Sequence, residues 1–226
     1  MRAVVLGLML AACKDDRPAA TAPPALVSID ASVATHVRLP RVDDTPVRRT
    51  SQPLGPERLV RLAAIEHADF ARQERGGTAT SVEVRHTTRT RPLLAVTVEI
   101  GACGACPAID SSAQRRAALV AELPEVLRDR ADTQVELATR QVAGLTAVAT
   151  YELGATVGSD EHGQPASDYV DAYRLDYTDG VNRIRVTASY VDDAVGDVDR
   201  LRAVAPREDL ERLAVAFLGF YVHHWQ

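Results

Sequence analysis

Between Tyr169 and Tyr190 the chain reads YVDAYRLDYTDGVNRIRVTASY, and no other stretch narrows the possible folds as far. Two runs of alternating apolar and polar residues flank Asp179-Gly180, a dipeptide that supplies the positive φ demanded by a tight turn between twisted strands. The stretch therefore predicts a β-hairpin. A turn centred on Asp179-Gly180 sets Leu175 opposite Ile184, Tyr173 opposite Val186 and Tyr169 opposite Tyr190, all on one face. The other face then pairs Asp176 with Arg183 and Ala172 with Thr187. A slip of one residue would bury Arg183 and Arg185, so turn chemistry and burial pattern support the same sorting of faces.

The start of the chain has a different character. One positive residue, Arg2, precedes an apolar run that ends Leu10-Ala11-Ala12-Cys13. The run is shorter than the roughly 20 apolar residues that span a bilayer, and it suits a secretory apolar core of about 7 to 15 residues. It resembles a bacterial lipoprotein signal peptide. That resemblance implies removal of residues 1–12, lipidation of Cys13, and a place in the cell envelope, on the inner or outer membrane, with the domain in the periplasm. Once Cys13 is assigned to lipid, Cys103 and Cys106 remain as an even pair in an oxidising compartment, where a disulfide persists.

Residues 13–53 form the next unit. Pro18, Pro23, Pro24, Pro40, Pro46 and Pro53 are spread through a segment without glycine or aromatic residues and without sustained period, the composition of a disordered tether. Such a chain reaches between roughly 35 Å as a coil and about 120 Å fully extended. Residues 54–226 then make a single domain, since roughly 170 residues bury one sizeable core but not two. A net charge of −5 argues against a nucleic-acid surface, which needs clustered cations to neutralise phosphates.

Within that domain, residues 57–73 predict a helix after Pro56, with Leu59, Leu62, Ala63 and Phe70 at helical spacing and Gly76-Gly77 as its stop. Residues 81–87 and 93–100 read as a strand pair, and 133–142 and 145–153 as another around Gly144. Cys103-Gly104-Ala105-Cys106-Pro107 leads into a helix from about Ser111, capped by Asp110 or Ser111 and ended by Pro124. Residues 154–167 read as a polar loop, and 194–204 as a region with a short helix. The last helix starts at Pro206, with Leu210, Leu213, Ala214, Phe217 and Tyr221 on one stripe and Glu208 and Asp209 in its first turn. The expectation is an α+β domain. Its mostly antiparallel sheet has about six strands built from hairpins, covered by helices, with a long C-terminal amphipathic helix. From Thr133 onward this succession resembles the PsbP-like fold. The lipoprotein start, GACGACPAID, YTDGVNRIRV and the terminal YVHHW are together similar to a group of bacterial lipoproteins from high-GC, myxobacteria-like genomes. That similarity implies a lipid anchor and no particular activity.

Candidate chemistry is sparse. A CxxC pair between a strand and a helix has three readings: a structural disulfide, a thiolate activated by a helix N-terminus for redox exchange, or half of a metal site. No Trp precedes Cys103 and the neighbouring elements are hairpins, which favours the structural disulfide. His223-His224-Trp225 suits a helix end, where a histidine cation complements the dipole. Asp192, Asp193, Asp197 and Asp199 do not have EF-hand spacing. Ser159, Asp160, Glu161 and His162 are hydrolase residue types, but neighbours in sequence cannot converge as nucleophile and base. No catalytic residue, metal ligand or cofactor pattern is assigned. The resulting expectation is a non-enzymatic, lipid-anchored envelope protein that binds an envelope protein or a small ligand, or serves in assembly. Its competitor is a periplasmic thiol-disulfide oxidoreductase using Cys103 and Cys106. A redox pair should expose one sulfur at a helix N-terminus in a groove, whereas a structural pair should be covered.

Overall fold

The computed structural model describes residues 37–41, 45–47, 52–90, 92–191 and 196–225. Cys13, the signal segment 1–12 and much of the expected tether lie outside the described residues. The elements in chain order are α1 (Pro56–Ala63), β1 (Phe70–Thr78), β2 (Ser81–Thr88), β3 (Leu94–Ala102), α2 (Ala113–Glu122), α3 (Glu125–Arg128), β4 (Gln134–Val142), β5 (Leu145–Ser159), β6 (Pro165–Thr178), β7 (Asn182–Tyr190), α4 (Val198–Val204) and α5 (Arg207–His224). Seven strands form one sheet in the order β1-β2-β3-β7-β6-β5-β4, and every neighbouring pair is antiparallel. The α+β class is as expected.

Period-two alternation decides the first face of this sheet. Val82, Val84, Leu94, Val96, Val98, Ile100, Tyr173, Leu175, Ile184 and Val186 are all buried there. α5 lies across that face and buries Leu210, Leu213, Ala214, Phe217 and Tyr221, the stripe anticipated from the spacing. Each large apolar side chain so buried contributes about 1.5 to 3 kcal/mol, which makes this layer the centre of the core. Acidic Glu208 and Asp209 in the first turn complement the helix dipole. α1 adds Leu59, Leu62 and Ala63 to the same core.

The second face is treated unevenly. α2 packs Leu119, with Leu123 just beyond its end, over Val135, Leu137 and Val170, covering β4 and its neighbours, while α3 packs on β5 and β6. The half made by β1, β2, β3 and β7 has no described helix over it.

Four expectations need correction. The first helix stops at Ala63, and Phe70–Thr78 is an edge strand rather than a helix end, which brings the strand count from six to seven. Burial of Phe70 on the first face and a ladder to β2 outweigh the local helix preference of ARQE. The expected polar loop 154–167 is largely β-structure: β5 runs to Ser159 and pairs with β6 down to Ser159 opposite Pro165, leaving only 160–164 as a turn. Asp160 closes that turn by accepting from the His162 and Gln164 amides at 2.9 and 2.8 Å. Contacts with the domain also begin before Leu54. Val37 is part of the core, Val47 N–H donates to Ala143 O at 3.2 Å, and Arg38 pairs with Asp69 at 2.9 Å, because apolar residues interrupt an otherwise polar segment. The fourth correction concerns the hairpin register and belongs to the site.

Candidate functional site

The β6–β7 hairpin keeps the expected faces but is displaced by two residues. Leu175 opposes Val186, not Ile184; Tyr173 opposes Ala188, not Val186; and Ile184 opposes Tyr177. Tyr169 pairs with Ala155, although its ring still meets that of Tyr190 at 6.1 Å between centroids. On the second face Asp176 opposes Arg185 rather than Arg183, and Ala172 opposes Ser189 rather than Thr187. The reason lies in the turn. Asp179 Oδ1 accepts from the Val181 and Asn182 amides at 2.9 and 2.7 Å, and the Asp179 N–H donates to Asn182 O at 3.2 Å, so the loop is four residues long. Only Gly180 takes positive φ, at 101°. A shift of two preserves side-chain parity, which is why the burial pattern survives it.

Asn182, fully buried, fastens this turn to the chain before α1: the Leu54 N–H donates to its Oδ1 at 2.8 Å, and its Nδ2 donates to Gln52 O at 3.0 Å. The Cys103–Cys106 loop docks on the same turn from the other side. Cys103 N–H donates to Val181 O at 3.0 Å and Cys106 N–H to Gly180 O at 2.8 Å. The two cysteines are joined, with Cα atoms 5.2 Å apart. Cys103 is exposed and Cys106 half-buried, and neither stands at a helix N-terminus, since α2 begins at Ala113 behind a Ser112 cap. Exposure thus matches the redox criterion while position does not.

Beside this loop, on the open half of the second face, lies a groove of about 430 Å³. Two cross-strand rows build it. One runs Glu83, Glu99, Arg185, Asp176; the other runs Ser81, Gly101, Arg183, Thr178. Gly101 leaves the floor bare. A Cβ there would stand 3.2 Å from both Ser81 Cβ and Thr80 O, a tight contact, so the close approach of β2 favours glycine. Arg185 Nε donates to Asp176 Oδ1 at 2.9 Å, and its Nη1 lies 3.6 Å from Glu99. Burial works against the Arg185 charge, but Asp176 and Glu99 outweigh it and hold the guanidinium above its ordinary value. Arg183 is left with a 3.9 Å approach to Asp176.

The remaining sequence candidates are not brought together. Trp225 is buried against Tyr177, and His224 stacks on Phe220 at 4.0 Å, as a helix end would. Asp197 caps α4 through the Arg200 amide at 2.7 Å, Asp199 pairs with Arg202 at 3.7 Å, and Asp192 and Asp193 lie outside the described residues. Among the described residues no group of three or more His, Cys, Asp and Glu is placed to hold a metal ion. Two buried titratable groups went unnoticed in the sequence. Asp171 points into the first face, where burial pushes its carboxyl up to about 8 against the opposing pull of Arg202 and the Tyr151 hydroxyl. His86 is bonded to the Tyr221 hydroxyl at 2.9 Å, and burial, then His67 and Arg72, lower it to about 3. An acid or a histidine at a core-facing position of an alternating run was the available signal.

Comparison with protein-family models, with characterised proteins and with solved structures finds no match. Among the described residues no helix is long and apolar enough to cross a membrane.

Proposed function

We propose that this chain is a lipid-anchored cell-envelope protein, held through Cys13, whose domain is a binding module using the groove of the open half-sheet. One observation carries the reading: a concave surface of about 430 Å³, within the size range of ligand sites, lies on the half of the face that no described helix covers, whereas α2 and α3 pack on the other half. The PsbP-like resemblance of the portion from Thr133 onward belongs to the same proposal, supported by an antiparallel sheet closed by α5.

The test is photocrosslinking in native membranes, read by intact mass, with the probe at Ser81 on the groove rim and at Val126 on exposed α3 as control. An adduct of discrete mass at Ser81 alone supports the reading. Equal labelling at both positions, or none, overturns it. The anchor is tested separately: Cys13→Ala should abolish acyl labelling, and normal labelling of that variant refutes the anchor.

Exposure of Cys103 on the groove favours a second reading, thiol-disulfide exchange. A reduction potential below about −300 mV fits a structural bond, and one near −120 mV with insulin-reductase activity fits the oxidoreductase.

A further inference from the structure

Resting on the groove as a ligand site, we infer that it recognises the carboxylate of a small zwitterion, an amino acid or short peptide, through Arg183. Most charges at the groove are already paired. Asp176 accepts from Arg185 at 2.9 Å, Glu99 meets Arg185 at 3.6 Å, and Glu83 meets Arg75 at 4.0 Å. Arg183, 43% exposed on the groove, has only the 3.9 Å approach to a carboxylate that Arg185 already holds, and its Nε, like those of Arg85 and Arg174, has no hydrogen-bond partner. A donor without an acceptor calls for an explanation, and a missing ligand acceptor supplies one.

The surroundings define what that acceptor is. Across the ladder from Arg183 stands Gly101, which has no side chain to offer and where a Cβ would be tightly placed. Beyond Gly101, the hydroxyls of Thr78 and Ser81, both lining the groove, lie 2.8 Å apart. A planar guanidinium on one side of a bare floor and hydroxyls on the other suit a planar, bidentate acceptor. Glu83 and Glu99, both partly exposed on the groove, repel a multiply charged anion such as phosphate and attract an ammonium group. A carboxylate with a cation elsewhere in the same small molecule satisfies both walls.

The experiment follows the Arg183 Nε–H resonance and the Gly101 amide in the ¹⁵N-labelled full chain during titration with glycylglycine, N-acetylglycine, glycinamide and inorganic phosphate. Glycylglycine is expected to shift both signals saturably, N-acetylglycine to do so with roughly tenfold weaker affinity, and glycinamide and phosphate to leave the Arg183 signal in place. Arg183→Lys keeps the charge but loses the fork, and should weaken glycylglycine binding by about tenfold or more, as should Arg183→Gln. No saturable shift up to about 10 mM, equal binding by phosphate, or unchanged affinity in Arg183→Gln overturns the inference. A Ser81 crosslink to some other occupant in that case would leave the groove reading standing. Absence of both removes the two together.

Discussion

On the face under α5, Asp171 and His86 are buried, whereas on the groove face Asp176, Arg185 and Glu99 hold one another at the edge of water. Both faces belong to the same strands and alternate residue by residue. At Asp171 and His86 the dry face therefore tolerates a polar group by keeping it neutral, and at Asp176, Arg185 and Glu99 the wet face keeps its groups charged by pairing them across the ladder. The two strategies answer differently to pH, salt and mutation.

The largest difference is expected at Asp171. Its unfolded carboxyl ionises near 3.8 and its folded one near 8, so across that window the folded state holds the extra proton and stability falls as pH rises. The slope approaches about 1.4 kcal/mol per pH unit. Urea denaturation of Asp171→Asn between pH 4 and pH 8 should lack this decline, and an unchanged slope would assign it to another group.

His86 works in the other direction. Neutral when folded down to about pH 3 and protonated when unfolded below its ordinary 6.5, it makes stability fall as pH drops from 6.5 toward 3. Replacing His86 and its partner Tyr221 by Phe should remove that acid limb. Between about pH 4 and 6.5 the two groups oppose each other, so the wild-type maximum should lie there.

On the groove face the effects are smaller. Asp176→Asn keeps an oxygen for Arg185 but removes the negative charge paired with it, with an expected loss of about 2 kcal/mol that shrinks as salt is added. A loss insensitive to salt would place Asp176 with the dry face instead. Least of all, the double variant Cys103→Ser, Cys106→Ser should lose less than about 2 kcal/mol, since so short a loop restrains the unfolded chain little. Hydrogen exchange should speed up at the Cys103 and Cys106 amides, now bonded to the turn, and stay unchanged in α5.

The sorting of the central hairpin into two faces was legible because alternation reports parity directly. Its register was not, because a slip of two leaves parity intact and the decision falls to Asp179 and Asn182, whose side chains set the loop length. The same slip hid the site. In the register read from the sequence Asp176 opposes Arg183 and would satisfy it; in the fold Asp176 goes to Arg185, and Arg183 is left beside Gly101. β1 escaped notice because an edge strand needs only one partner and one buried side chain, here Phe70. The β5–β6 extension escaped because Thr156–Ser159 pairs through backbone with little burial to imprint alternation.

The strand order also separates the sheet into two runs of sequence neighbours, β1 to β3 and β4 to β7. Within each run the partners are close along the chain, and only the seam between β3 and β7 joins residues as distant as Leu94 and Tyr190. Loop closure across so long a segment is slow compared with forming a hairpin, so the seam is the step on which folding is expected to wait. Gly101 and Arg183 face each other across that seam. A molecule seated on them would span both runs, slow their separation, and lengthen the lifetime of the folded state without touching α5.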